Sequence, residues 1–338
     1  MKKDNKKVIY WLLTGCILIF IMVVVGGITR LTHSGLSISN YKLISGTIPP
    51  MNEVEWEAAF DLYKQYPEYQ KLNNQFTLQD FKDIYFWEWI HRVIGRFIGL
   101  VFLIPFIFFL ATKQLSKSTT KKAIILLCMG AFQGFLGWYM VKSGLVDNPD
   151  VSHYRLAGHL TTAFLTFAYT FWVALDLIYP NKKQINIRFR HFIRFGLIIL
   201  VIQIIYGAFV AGLDAGFIHN HWPLMSEGQF MHDTVLIEQQ PVYKNFIEGK
   251  SGVQFVHRIL AYIVVLFIIL IWRKSKKLNL TKLQSKGINA LLFFVGFQFL
   301  LGVFTILLQV PVWLGVLHQV GAFFLLSAMI FTLHRFSK

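Results

Sequence analysis

Residues 86–111 read FWEWIHRVIGRFIGLVFLIPFIFFLA. This stretch decides the fold. As a helix rising 1.5 Å per residue it is about 39 Å long, more than the roughly 30 Å of hydrocarbon in a bilayer. It is apolar on all sides rather than along one stripe, so lipid or other apolar helices must surround it. Its first half nevertheless carries Glu88, His91, Arg92 and Arg96. Ionisable side chains at membrane depth are costly, and by default they mark function.

Working outward, seven further runs of similar character lie near 9–28, 122–141, 153–178, 191–213, 253–272, 288–309 and 312–334. The composition agrees: 55% of the 338 residues are hydrophobic and 15% are charged, where soluble domains carry roughly 25% charged residues. The expected fold class is therefore an all-α integral membrane protein with eight transmembrane helices. The first run follows Met-Lys-Lys-Asp-Asn-Lys-Lys but lacks a small-x-small cleavage site, so it reads as an uncleaved anchor.

The net charge of +16 could suggest nucleic acid, but its distribution excludes that partner. Twenty-one basic residues fall at the termini and in the alternate short connections; nine fall in the longer loops on the other side. The positive-inside rule then places both termini in the cytoplasm, in a bacterial-type inner or plasma membrane. Cys16 and Cys128 both lie in apolar runs and read as buried free thiols, with no disulfide framework.

Two long loops face outward. Residues 31–85 contain Pro49-Pro50, then Asn52 with Glu55 three residues on, a helix-start signal. Trp56, Phe60 and Tyr63 follow at helical spacing, predicting a short amphipathic helix lying on the membrane. Thr77-Leu78-Gln79-Asp80 predicts the N-cap of the helix that becomes the second span. The other long loop covers residues 214–251.

The chain repeats itself. His91-Arg92-Val93-Ile94 in the second run matches His257-Arg258-Ile259-Leu260 in the sixth. Phe132-Gln133 and Leu136-Gly137 in the third match Phe297-Gln298 and Leu301-Gly302 in the seventh; His159 in the fourth matches His318 in the eighth. The first and fifth runs end in glycine-bearing segments, Gly26-Gly27 and Gly207 with Gly212. Matches in constant order indicate duplication. Each half has an even number of spans, so the halves, 1–180 and 181–338, are expected to be parallel, pseudo-twofold-related four-helix bundles.

His91, His159, His257 and His318 all sit five or six residues inside the outer ends of their runs, on helices that run in the same direction. Such residues can face each other in pairs, one pair per half, as bundle cofactor sites do. Neutral imidazole is a common axial ligand of haem iron. Zinc fits less well, because each helix supplies one histidine without the short local spacing usual for zinc. A hydrogen-bonded core role is the bland alternative for any single histidine, but it explains four at one level poorly. His33, His153, His219, His221 and His232 read as solvated loop residues, although His219 and His221 could chelate a metal. His191 and His334 read as interfacial.

The halves differ at one position. Glu88 lies three residues before His91 on the same helix face, and Gln254 takes that place before His257. A carboxylate in one half only suits acid–base chemistry there; a simple helix-end role is the alternative. Arg92, Arg258 and Arg96 are candidates to pair with haem propionates or support the site, since arginine binds carboxylates in bidentate fashion; snorkelling to the interface is the alternative for Arg92 and Arg258.

Several motifs together resemble the haem A synthase family. They are Gly26-Gly27-Ile28-Thr29-Arg30-Leu31-Thr32 with Ser34-Gly35-Leu36-Ser37, Pro49-Pro50, Glu88-Trp89-Ile90-His91-Arg92 with Gly95-Arg96, and Gly137-Trp138-Tyr139-Met140-Val141-Lys142-Ser143-Gly144-Leu145. Tyr154-Arg155-Leu156-Ala157 before His159, Phe255-Val256-His257-Arg258 and His318-Gln319 complete the likeness over nearly the whole chain. The resemblance implies oxidation of the C8 methyl of haem O to a formyl group, giving haem A for a terminal oxidase. It implies substrate haem O between His91 and His159 with Glu88 as the catalytic residue, and a haem b cofactor between His257 and His318. It also implies a haem O synthase and an unidentified electron-transfer partner, and is compatible with a homo-oligomer. The first outer loop has no cysteine, so the chain resembles the branch that includes the mitochondrial enzymes.

Two other readings compete. A diheme b-type electron carrier or quinol oxidoreductase also pairs histidines in a bundle, but does not require Glu88 in one half only. A transporter is often duplicated too, but predicts midplane charges and broken helices.

Overall fold

The computed structural model describes residues 5–38, 45–145, 149–180 and 186–337. Of the basic residues counted above, Lys2, Lys3, Lys42, Lys182, Lys183 and Lys338 lie outside the described residues. Eight helices there are long and apolar enough to cross a membrane. They are α1 (Asn5–Leu31), α4 (Leu78–Ala111), α5 (Lys117–Gly144), α6 (His153–Ile178), α7 (Ile187–Gly212), α8 (Lys250–Ser275), α9 (Lys282–Leu307) and α10 (Val312–Arg335). Two shorter helices, α2 (Glu53–Tyr63) and α3 (Pro67–Lys71), lie in the first long loop. Among the described residues no strand forms beyond an isolated bridge between Ser226 and Gln229.

Each long helix outruns the apolar segment that announced it. The polar flanks continue the helix because local caps satisfy the orphan N–H groups at each start. Thr77 and Asp80 form a capping box before α4, and Thr281 and Gln284 do the same before α9. Asn52 accepts from the Glu55 N–H before α2. His159, His257 and His318 lie six or seven residues into their helices, but His91 lies thirteen residues into α4, which extends outward to Leu78.

The helices α1, α4, α5 and α6 pack together, as do α7, α8, α9 and α10; α1 meets α10 and α6 meets both α7 and α10. The main core lies at this junction, where Phe164 and Phe167 of α6 pack on Phe323 of α10. Peripheral helices keep apolar faces outward, with Phe97, Leu100, Ile104 and Ile107 of α4 exposed. In a bilayer those residues meet lipid, so their exposure carries no hydrophobic penalty. Cys128 belongs to this outer surface, which corrects the expectation that both thiols are buried; Cys16 is buried.

Pro105 lies inside α4 and cannot donate to the Val101 carbonyl one turn back. In hydrocarbon that carbonyl needs another donor. The indole of Trp11 supplies it, donating to Val101 O at 3.1 Å.

The two long loops dock on protein. The apolar face of α2 was expected to lie on the membrane; instead Trp56, Phe60 and Tyr63 pack with Phe81, Ile84 and Tyr85 of the outward extension of α4. Tyr63 donates to buried Glu68 at 3.0 Å. Burial pushes the Glu68 carboxyl up to about 8, with Glu88 and Asp150 adding to the shift and the Tyr63 hydrogen bond opposing it. The neutral acid is thus the form that folding prefers. Its stabilising contribution is complete below the ordinary carboxyl range and is lost as pH rises toward about 8. Hydrogen exchange across residues 53–76 should therefore speed up, after correction for intrinsic rates, between pH 5 and pH 8. Glu68→Gln should flatten that dependence, and an unchanged profile in the variant would assign it to another group.

In the second outer loop the buried Asn245 amide donates to the Leu236, Gln239 and Val242 carbonyls, and its oxygen accepts from the Gln239 N–H. Gly252 of α8 lies against the Asn245 backbone, where no side chain fits. Glu238 reaches from the loop to the Ser251 N–H and hydroxyl, capping α8 from outside its own sequence.

Candidate functional site

Each of the four histidines is seated against a glycine of a neighbouring helix. A Cβ on Gly26 of α1 would stand 3.2 Å from His91 Nε2; one on Gly207 of α7 would stand 3.2 Å from His257 Cε1. For Gly137 of α5 against His159 the distance is 3.2 Å, and for Gly302 of α9 against His318 it is 2.9 Å. Any larger residue would push the imidazole aside. Four close approaches of one kind make a repeated seat, not four accidents of packing.

His257 and His318 face each other with ring centroids 6.5 Å apart and planes crossed at 82°. A ring nitrogen lies about 1 Å from its centroid and a metal–nitrogen bond is about 2 Å, so two imidazoles sharing one metal need centroids about 6 Å apart. The spacing fits one iron. Nδ1 of His257 is buried without a hydrogen-bond partner, as are Oε1 of Gln203 beside the same ring and Oε1 of Gln133 and Gln298 beside His159 and His318. These orphaned atoms and glycine-lined seats suit a bound haem. No group of three or more His, Cys, Asp or Glu able to hold a bare metal ion occurs among the described residues.

Glu88 is buried. Its Oε2 accepts from the Ser37 hydroxyl at 2.7 Å and the Ile38 N–H at 2.8 Å, and its Oε1 pairs with Arg92 at 2.5 Å. Arg92 also donates to the Ile38 carbonyl at 2.8 Å. One turn above His91, this pair fastens the first outer loop to α4. The C-terminal half does the same with different residues. Gln254 donates to the Ala215 and His219 carbonyls, and Arg258 donates to those of His219, His221 and Leu224. Both terminal nitrogens of Arg258 are therefore engaged by loop backbone, which departs from the expected propionate role. Arg96 and Arg92 instead line a cavity of about 390 Å³, with Ser37, Ile38, Pro49 and Phe81 also on its wall.

His219, expected to be solvated, is buried; it bonds Ser251 Oγ at 2.9 Å and lies 4.5 Å, centroid to centroid, from His232. Burial lowers its pKa, with the nearby His232 and Arg258 adding to the effect. His334, expected to be interfacial, is fully buried and bonds Asp176 at 3.0 Å, while Lys122 pairs with the other oxygen of that carboxylate at 2.6 Å. His33 is exposed as expected, and His191, expected to be interfacial, is exposed.

Sequence reasoning named the seating glycines and Ser37 only as parts of the repeat and the family motifs, and missed what they hold. Their signal was present as Gln-x-x-x-Gly, which occurs at 133–137, 203–207 and 298–302. The i, i+4 spacing sets amide and glycine on one helix face.

A helical membrane bundle with two pairs of glycine-seated histidines near one end belongs to the class of membrane haem proteins in architecture. The chain is a member of the cytochrome oxidase assembly protein family, whose model matches residues 9–330. It is 65% identical to the heme A synthase of Flavobacterium johnsoniae, with all of both chains covered. The heme A synthase of Flavobacterium psychrophilum is 62% identical, over 99% of this chain and all of that one. The heme A synthase of Parvibaculum lavamentivorans is 43% identical over 99% of this chain and 96% of its own.

Proposed function

We propose that this protein is a haem A synthase, a membrane oxidoreductase that converts the C8 methyl of haem O to a formyl group. The observation that carries the reading is the set of four glycine-seated histidines, two per half, in a chain 65% identical throughout to a protein of that name. The halves 1–180 and 181–338 are read as pseudo-twofold-related bundles, with both termini cytoplasmic. In the C-terminal half His257 and His318 would hold haem b, whose iron supplies one-electron transfer. In the N-terminal half His91 and His159 would hold the substrate, with Arg96 and Arg92 nearest its propionates at the cavity.

The protein's own contribution is positional and acid–base. Glycine seats fix the imidazoles, so little reorganisation is needed when the substrate binds. Glu88 would accept a proton at Oε1, exchanging its contact with Arg92, while Ser37 and Ile38 keep the carboxyl in place through Oε2. The docked outer loop would keep bulk water from the methyl group. Haem O would come from a haem O synthase, and a separate electron-transfer partner would exchange electrons with the protein.

The test uses membranes from cells co-expressing a haem O source. His91→Ala with His159→Ala should retain most haem b and make no haem A, read as haem A per haem b in extracted pigment. Substantial haem A from the double variant would sink the reading.

A further inference from the structure

Resting on the haem reading above, we infer that Gln133, Gln203 and Gln298 are positioning residues for three of the four histidines, and that His91, which lacks such an amide, is the ligand that yields when substrate enters and leaves.

Gln133 and Gln298 share one geometry, and Gln203 contacts its histidine at a single nitrogen. Gln133 Nε2 lies 3.1 Å from Nδ1 and 3.5 Å from Nε2 of His159, and Gln298 Nε2 lies 3.2 Å and 3.5 Å from the same atoms of His318. Gln203 Nε2 lies 3.4 Å from His257 Nε2. In each case the amide stands one turn from the glycine that seats the same ring. In each case its oxygen is buried and unbonded.

That orphaned oxygen has a use. A neutral imidazole bound to iron through one nitrogen carries its proton on the other. Buried, that N–H needs an acceptor, and outer partners of this kind fix ring orientation and ligand basicity. The amide oxygens of Gln203 and Gln298 are within a side-chain rotation of the rings, whereas Gln133 also donates its Nε2 to the His159 carbonyl at 2.9 Å and braces that histidine through its backbone. Amide oxygen and nitrogen differ only by a flip, so the same side chain can present either.

The fourth seat differs. One turn before Gly26 stands Met22, where Gln203 precedes Gly207. The Met22 methyl runs along α4, reaching 3.3 Å from a Cβ placed on Gly95. A thioether is a weak acceptor. Among the described residues no hydrogen bond to the His91 ring is found. The substrate pair thus combines one supported ligand, His159, with one unsupported ligand. The cofactor pair, His257 and His318, is supported on both sides. A resident group needs permanent ligation, whereas a substrate must leave after each turnover.

Carbon monoxide is the probe, since it binds ferrous haem where an axial ligand departs. Purified full-length protein, loaded by co-expression with a haem O source and reduced with dithionite, is mixed with carbon monoxide and followed optically. Met22→Gln should slow binding about tenfold, the lower range for such partners, whereas Met22→Leu should not change it. Gln298→Asn, one methylene shorter, should make the haem that is inert in the parent react. A merely structural glutamine would explain the second effect but not the first. Parental rates in Met22→Gln at normal haem content would overturn the inference, as would a parent that does not react. If Gln298→Asn loses its haem, the Met22 pair decides. Protein purified with no haem at all would instead overturn the functional reading, and this inference with it.

Discussion

Glu88→Gln should lower haem A formation by about a hundredfold or more while leaving the protein folded and loaded with haem b. Oxidising a methyl to a formyl group moves protons at each stage, and loss of a positioned acid–base group commonly removes 10²–10⁴ in rate. Glutamine keeps the shape of glutamate, and its oxygen can still accept from Ser37 and the Ile38 N–H. It loses the charge that pairs with Arg92. The C-terminal half already tolerates that loss: Arg258 lies 3.4 Å from the Gln254 oxygen, and the loop beside it remains docked through backbone carbonyls. Structural damage and lost chemistry are therefore separable. Damage would lower haem b content and increase exchange across residues 31–85; lost chemistry would leave both unchanged and accumulate haem O or a hydroxylated product. The measurement is haem A per haem b in membranes of variant and parent. Near-parental yield would reduce Glu88 to a loop fastener and remove the main reason for placing catalysis in the N-terminal half.

His257→Ala and His318→Ala should each abolish or strongly alter the b-type spectrum. The two rings sit at a spacing that suits one shared iron, and removing either leaves a single axial ligand. Neither substitution should collapse the bundle. The rings are half-buried at the outer end, and the main core of α6, α7 and α10 lies elsewhere. The readout is the reduced-minus-oxidised spectrum of purified protein. An unchanged low-spin spectrum in both variants would reject this pair as ligands. The contrast with the His91 and His159 variants, which should keep that spectrum, tests the division of roles between halves.

How much of this was legible beforehand depends on the range over which each feature is encoded. Helix starts at Asn52, Thr77 and Thr281 are local, written in four residues each, although only the first two were read. The pairing of Trp11 with the carbonyl freed by Pro105 joins residues ninety apart and could not be read from either segment. The cluster of Lys122, Asp176 and buried His334 draws on α5, α6 and α10, so His334 read alone looked interfacial. His219 looked solvated for the same reason: its burial is made by His232 and Ser251, both distant in sequence.

The sequence by itself determined the number of spans, because twenty apolar residues in a row have few alternatives to crossing a bilayer. It also determined the four histidines as a set, because duplication repeats them in order and an ionisable residue in hydrocarbon is too costly to be incidental. The tertiary structure decided which glycine faces which imidazole, that Glu88 and Arg92 hold the loop at Ser37 and Ile38, and that Arg258 spends its donors on loop carbonyls. These depend on rotation of one helix against another and on side-chain direction. Hydropathy averages over both, because every face of a membrane helix can be apolar whether it meets lipid or protein.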